Sequence, residues 1–574
     1  MSDERNSVEN ERQILLDAEA KGGLARIKTY SKLSGPGWLQ SAITLGGGSL
    51  GGALFLGVIG GYGMLWVQLV AMILGVIMLS AISYVTLSTE ESPFQGIKTK
   101  INPVLAWGWL IASMMANMVW VLPQYSLAFA SISQNLMPGA FPADTADITN
   151  GHKMVVTIII FVIVTAITFC YGTKGIGIKI YEWVLKIMVA FIVLCFFGVV
   201  IKLAGRLPWG EIARGFIPNF GVWNSPSPTF AVWLNQIADP VARAFWEGEV
   251  LGAQRSRMIA AASAAVGINM TFLLPYSMLA KKWGKEHRGL AIFDLSTGMV
   301  IPFVLAVSCV VIASAYSFHD NRYEDVPGKG VLVEDAAGNL IVNRESNRAN
   351  AFNKLVAKRN GAAEGSHEAT KMEVAEMEIA ARLMKRDNMQ LAPALKALTG
   401  SEAVANKIFG LGVLAMTMST ISLLMLISGF VFCEALRLPH TGWPLRFGTL
   451  FASTGLLWPF IWGGDSAAYL VVPTSTFGYM LLPIAFLTFF FMMNSKALLG
   501  ENLPRGGKRV TWNVLMGVSL LITGYAAITT GWAKTMKIKD VEIPFGRYAI
   551  IIFVVLVIIG HFCHKRTGHK SSEA

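Results

Sequence analysis

Leu45-Gly46-Gly47-Gly48-Ser49-Leu50-Gly51-Gly52 lies inside the first long apolar run of the chain, at about residues 36–60. Each interior glycine costs a helix about 1 kcal/mol relative to alanine. Gly46, Gly47, Gly48, Gly51 and Gly52 together make one unbroken helix unfavourable. Broken backbone at bilayer depth survives only where it is buried in protein or lines a cavity. Small residues also let membrane helices approach closely, and Gly57, Gly60, Gly61 and Gly63 suit that use better. A break is therefore predicted at Gly46–Gly48. The sixth apolar run contains Gly267-Ile268-Asn269-Met270-Thr271-Phe272-Leu273-Leu274-Pro275-Tyr276. There Pro275 removes the helical bond to the carbonyl of Thr271, and Asn269 and Thr271 are polar, so a second interruption is predicted. Interrupted first and sixth runs, at matching places in two five-helix halves, are the sequence sign of an inverted-repeat transporter with its site at the midplane.

The composition agrees. Of 574 residues, 53% are hydrophobic and only 15% charged. Mean hydropathy is +0.52. A soluble chain carries about 25% charged residues, so this is an all-α polytopic membrane protein whose partner is the lipid bilayer. Roughly twelve spans are expected. Their limits are about 36–60, 63–88, 104–135, 153–171, 182–203, 258–280, 296–317, 405–436, 446–463, 468–495, 511–532 and 545–563. Residues 1–33 are polar and read as a cytoplasmic segment with no cleavable signal; 564–574 read as a cytoplasmic tail.

Lys+Arg is 48 against 36 Asp+Glu, a net +12. The basic residues fall in alternate loops: Lys98 and Lys100, then Lys281, Lys282, Lys285 and Arg288, then Arg505, Lys508 and Arg509. That places both termini in the cytoplasm of a multi-pass cell-membrane protein. Lys534, Lys537 and Lys539 run against the pattern. No basic stripe with interleaved aromatics indicates a nucleic-acid partner. Cys170, Cys195, Cys309, Cys433 and Cys563 have no metal-site spacing.

Two polar stretches interrupt the pattern. Within about 204–257, Pro228–Glu247 reads as an amphipathic helix at the outer surface. Residues 318–404 read as an extracellular insertion, a lid or cap, between the seventh and eighth spans. Gly330–Asn343 there suits a β-hairpin and Glu368–Arg386 a helix.

Gly35-Pro36-Gly37-Trp38, Gly61-Tyr62-Gly63-Met64-Leu65-Trp66, Ile408-Phe409-Gly410 with Cys433-Glu434-Ala435-Leu436, and Leu482-Pro483-Ile484 with Asn494 resemble the Nramp (natural resistance-associated macrophage protein) family of divalent metal transporters. The resemblance implies the LeuT-like fold, five plus five helices in an inverted repeat with broken first and sixth helices. It covers most of the membrane region but not 318–404.

The departures bear on function. The family's first helix breaks at Asp-Pro-Gly-Asn, whose Asp and Asn bind metal; counted from Gly35-Pro36, those positions hold Gly46, Gly47, Gly48 and Ser49. The family's sixth helix carries Met-Pro-His. Anchoring on Gly267 puts Thr271 at the Met position, and sliding by one puts Met270 there; neither supplies a His. The third span offers Asn117 and Gln124 but no acid.

A dehydrated divalent ion in a membrane needs carboxylates or many oxygens. Thr44, Gly46–Ser49, Asn269, Met270 and Thr271, the expected substrate-binding residues, are neutral, and Met270 is the only soft metal ligand among them. Asn117, Gln124 and Thr420 are candidate cavity-lining residues. The expected function is a secondary transporter with a remodelled metal site and an altered substrate. Transport of Mn²⁺ or Mg²⁺ on neutral oxygens is one alternative. A second is an organic anion, amino acid or other small polar solute held by helix N-terminal amides. The third is a non-transporting sensor. No catalytic constellation or cofactor motif stands inside the membrane, so an enzyme is not expected. The family resemblance implies a monomer.

Overall fold

The computed structural model describes residues 2–33, 36–142, 147–170, 176–320, 331–334, 340–342, 349–361, 372–386, 401–462, 468–538 and 541–570. Two helices, Ser2–Lys21 and Gly23–Leu33, precede the apolar region. The first apolar run is two helices, α1 (Pro36–Thr44) and α2 (Gly47–Gly60). Gly46 between them is extended, at φ −91° and ψ −176°. The break is thus tighter than the glycine run suggests: Gly47 and Gly48 already belong to α2. Gly61, at φ 54°, turns the chain towards α3 (Leu65–Thr89).

The third run is α4 (Pro103–Ala130), which continues into a π-helical turn at Ser131–Leu136. Its start is set by Asn102, whose side chain accepts from the amides of Val104 and Leu105, followed by Pro103. Next come α5 (Asn150–Phe169) and α6 (Ile176–Leu203).

The sixth run is again two helices, α7 (Pro240–Ala265) and α8 (Ile268–Ala280). Two expectations change here. The helix starts at Pro240, not near 258, because Asp239 accepts from the Val241 amide and Pro240 fits a first helical turn. This divides the predicted Pro228–Glu247 helix into Pro228–Leu234 and the first turns of α7. The interruption lies at Val266–Gly267, not at Pro275, which sits inside α8. Gly267 is extended at φ −94° and ψ 158°. A Cβ there would lie 2.6 Å from Asn269 Oδ1 and 2.8 Å from the Trp120 ring, so the chain straightens where only glycine fits.

The seventh run passes through a π-helical turn at Ser296–Val300 into α9 (Ile301–Ser314). Beyond it, strands β1 (Leu332–Glu334) and β2 (Leu340–Val342) pair antiparallel, Leu332 opposite Val342. The turn between them lies outside the described residues. Helices α10 (Ala349–Asn360) and α11 (Val374–Leu383) follow. The indole of Trp246 donates to Glu376 at 2.9 Å, and Arg359 pairs with the same carboxylate at 2.8 Å, so α10 and α11 are fastened to α7.

The remaining runs are α12 (Glu402–Leu436), the composite Gly442–Thr449, Leu450–Leu457 and Trp458–Ile461, then α13 (Val471–Asn494), α14 (Gly506–Trp532) and α15 (Phe545–Lys570). Among the described residues, nine continuous helical segments are long and apolar enough to cross a membrane. One of these, Gly47–Thr89, holds both α2 and α3. With α6 and the composite run, this accommodates the twelve expected spans. The broken pairs lie at the centre. A Cβ on Gly52 of α2 would meet Ala261 of α7 at 3.3 Å, and one on Gly57 would meet the Val311 carbonyl of α9 at 2.6 Å. At the edge, α5, α14 and α15 expose Ile159, Leu521 and Ile552.

Candidate functional site

Four helix ends converge where the two breaks meet. A helix C-terminus leaves carbonyls unpaired and an N-terminus leaves amides unpaired. The C-terminal ends here are those of α1 and α7. Ser49, in the first turn of α2, answers both: its hydroxyl reaches the Thr44 carbonyl, and the Ala264 carbonyl at 3.3 Å. One hydroxyl proton serves two acceptors, so Ser49 links the broken helices of the two halves. The Thr44 hydroxyl donates to the Gln40 carbonyl at 2.6 Å and lies 3.9 Å from Met270 Sδ.

Met270 accepts from the Gly267 amide at 3.4 Å and so turns its sulfur back across the second break. Thr271 faces elsewhere, accepting from the Trp109 indole at 2.9 Å. Of the two residues competing for the methionine position, Met270 therefore stands beside α1. Asn269 accepts from the Met270 amide at 2.9 Å and donates to Asn117 Oδ1 at 3.3 Å. Asn117 in turn donates to the Leu424 carbonyl and to Ser428 Oγ, each at 2.6 Å. This chain of amides ties α8 to α4 and α12.

Gln124 and Thr420 close over the first break. A Cβ on Gly46 would fall 1.9 Å from Thr420 Oγ1, and one on Gly47 would fall 2.7 Å from Gln124 Oε1. Gln124 Oε1 is buried and has no hydrogen-bond partner among the described residues. All but one of the predicted residues thus lie together, Thr44, Gly46–Ser49, Gln124 and Thr420 at the first break and Asn117, Asn269 and Met270 at the second; Thr271, bonded to the Trp109 indole, turns away.

Sequence reasoning missed Gln40, one turn before the first break. It is fully buried, and neither its amide oxygen nor its amide nitrogen has a partner among the described residues. Buried polar groups in native proteins are nearly always satisfied, so an unpaired amide beside a helix break suits a polar ligand. Its signal was a lone glutamine in an apolar run. Trp120 was missed as well; its indole donates to the Thr474 carbonyl at 3.0 Å and its ring walls the Gly267 side.

The donors here are hydroxyls, amides, carbonyls and one thioether. No group of three or more His, Cys, Asp or Glu stands within metal-binding reach among the described residues. The buried carboxylate of Asp294 accepts from the Gly37 amide at 2.6 Å, at the opposite end of α1 from the break. Among the described residues, the donors at the two breaks are uncharged.

Asn117→Leu tests the amide chain. It deprives Asn269 of an acceptor and the Leu424 carbonyl of a donor, which is expected to cost about 1–3 kcal/mol. The expected readout is a lower melting temperature in detergent; an unchanged one would show that Asn269 is satisfied elsewhere.

The family model described as natural resistance-associated macrophage protein-like matches residues 37–341 and 371–529. Among solved structures, a manganese transporter of Eremococcus coleocola, crystallised with an aromatic bis-isothiourea substituted compound, is 13% identical. The match covers 95% of this chain and 97% of that one, with a TM-score of 0.60. A mutant structure of the same transporter matches equally. MhsT in complex with L-phenylalanine is 13% identical over 86% of this chain and 98% of that one, with a TM-score of 0.47. No curated protein matches in sequence. The likeness to the manganese transporter is one of fold, the LeuT-like architecture.

Proposed function

Because the chain belongs to the natural resistance-associated macrophage protein-like family, we propose that it is a secondary membrane transporter whose metal site has been remodelled for a small polar solute. The observation that carries this reading is the neutral donor set at the breaks. Gly46 stands at the position of the family's metal-binding aspartate, and Thr420 Oγ1 fills the space a side chain there would need. The amides that open α2 and α8 favour a carboxylate or other negative group. The carbonyl ends of α1 and α7, which share the Ser49 hydroxyl, favour a positive one, so a zwitterion is accommodated as well. Substrate-binding roles are assigned to Thr44, Gly46–Ser49, Asn269 and Met270, with Asn117, Gln124 and Thr420 lining the cavity. Lys and Arg in alternate loops support a cell-membrane protein with both termini in the cytoplasm and 318–404 outside.

A second reading keeps a divalent ion as substrate. The Thr44 and Ala264 carbonyls with Met270 Sδ favour it, if the ion retains most of its water. Uptake into proteoliposomes separates the two. The expected result is no saturable Mn²⁺ or Mg²⁺ uptake above empty vesicles. Saturable Mn²⁺ uptake that disappears in Met270→Ala would sink the first reading and establish the second.

A further inference from the structure

A cavity of about 600 Å³ opens beside α7, between its middle turns, α10, the end of α11 and Tyr469. That volume suits a small-molecule ligand. Gly248 and Gly252 form part of its wall, and a Cβ on either would meet nothing within 4 Å. The charged residues lining it are Arg257, Lys354, Lys358, Lys385 and Glu249. Lys358 and Glu249 neutralise each other at 2.7 Å. Arg257 and Lys385 are in no such pair, and among the described residues no further carboxylate lines the cavity.

Arg257 is the decisive residue. It is only 6% exposed and belongs to a helical segment apolar enough to cross a membrane. Its Nη1 reaches only neutral acceptors, the Ala253 carbonyl at 3.4 Å and Ser256 Oγ at 3.0 Å. Its buried Nε has no partner, and it forms no ion pair among the described residues. Its guanidinium lies 5.1 Å from the centre of the Tyr469 ring, and the Lys385 ammonium lies 4.9 Å from the same ring. The ring holds two cations in place without cancelling either charge. An uncompensated buried guanidinium in a membrane helix marks a functional site that lacks its counter-charge. Guanidinium geometry matches a planar or tetrahedral oxyanion.

We propose that this cavity binds a small oxyanion, a carboxylate or a phosphate, between Arg257 and Lys385. Arg257 stands nine residues up α7 from Val266, a rise of about 13 Å. Taking the cavity as the approach to the breaks rests on the transporter reading; binding in the cavity does not. A cavity of this sign repels cations and concentrates anions.

Isothermal titration of the full chain in detergent tests it, with succinate and inorganic phosphate as probes and choline as the cationic control. Saturable binding of either oxyanion is expected, at least tenfold weaker in Arg257→Gln and in Lys385→Gln and partly restored in Arg257→Lys. Lys508→Gln is expected to bind as the parent does. Lys385 is exposed, so its variant reads out binding even if Arg257→Gln folds poorly. Failure of both oxyanions to saturate, equal binding in both glutamine variants, or tighter binding of choline overturns the proposal. Flux of the bound anion is measured separately in proteoliposomes. Binding without flux upholds the cavity and counts against transport, whereas flux without binding overturns the cavity alone.

Discussion

Gly47→Leu is expected to reduce solute uptake at least about a hundredfold, some 2.7 kcal/mol, while the protein remains folded. The backbone at Gly47 is helical, so conformation does not forbid a side chain; space does. A Cβ would lie 2.7 Å from both Gln124 Oε1 and Thr417 Cγ2. The end of a glutamine side chain moves readily, but the Thr417 methyl must shift as well. The remaining atoms of leucine then occupy the space between the breaks, where the unpaired Gln124 oxygen sits. Overpacking of this kind costs about 1–3 kcal/mol, which a protein of ordinary stability survives. Uptake and thermal melting should be measured on one preparation. Normal uptake by a folded Gly47→Leu would place the site elsewhere.

The second large effect is a gain. Gly46→Asp alone is expected to bind no Mn²⁺, because its Cβ would overlap Thr420 Oγ1 at 1.9 Å. Combined with Thr420→Ala, the nearest atom of residue 420 becomes its Cβ at 3.2 Å, a gap that small shifts relieve. The aspartate then joins Met270 and the Thr44 and Ala264 carbonyls with the charge that the natural set lacks. The double variant should bind Mn²⁺ at least about tenfold more tightly than either single one, equivalent to ~1.4 kcal/mol. Equal weak binding by all three would mean that the missing carboxylate is not what distinguishes this site.

Much of this architecture was legible in the sequence. The glycines at 46–52 announced the first break, although Gly46 alone is extended and Gly52 serves close packing on α7. The second break was misplaced because Pro275 is a louder signal than a lone Gly267. Yet a proline removes a single helical hydrogen bond, which a buried helix absorbs. The true start of α7 was hidden by Arg243, Glu247, Glu249, Arg255 and Arg257, which hold hydropathy down although they lie on one helix. Asp239 followed by Pro240 was the capping signal that would have located it. Contacts between distant segments were not legible at all. Ser49 meets Ala264 across the interface of the two halves. The basic cavity brings Arg257 of α7 to Lys385, just past the end of α11. No periodicity along a chain encodes such meetings.

Helix α12 is 35 residues long, and the segment Pro103–Leu136 that contains α4 is 34. At 1.5 Å per residue each spans about 50 Å, against about 30 Å of hydrocarbon. Their ends are pinned together, Asn135 to Asn406 at 3.1 Å and Lys407 to the Leu136 carbonyl at 3.2 Å. By contrast α5 has 20 residues, and the apolar part of α15, Phe545–Phe562, has 18; both just match the bilayer. A lipid with longer tails therefore strains the short outer helices by mismatch, while the long pair stands through the membrane like a post and keeps its tilt. Bilayer thickness acts on this molecule from the rim inwards, and the hinges at the centre are the last to feel it.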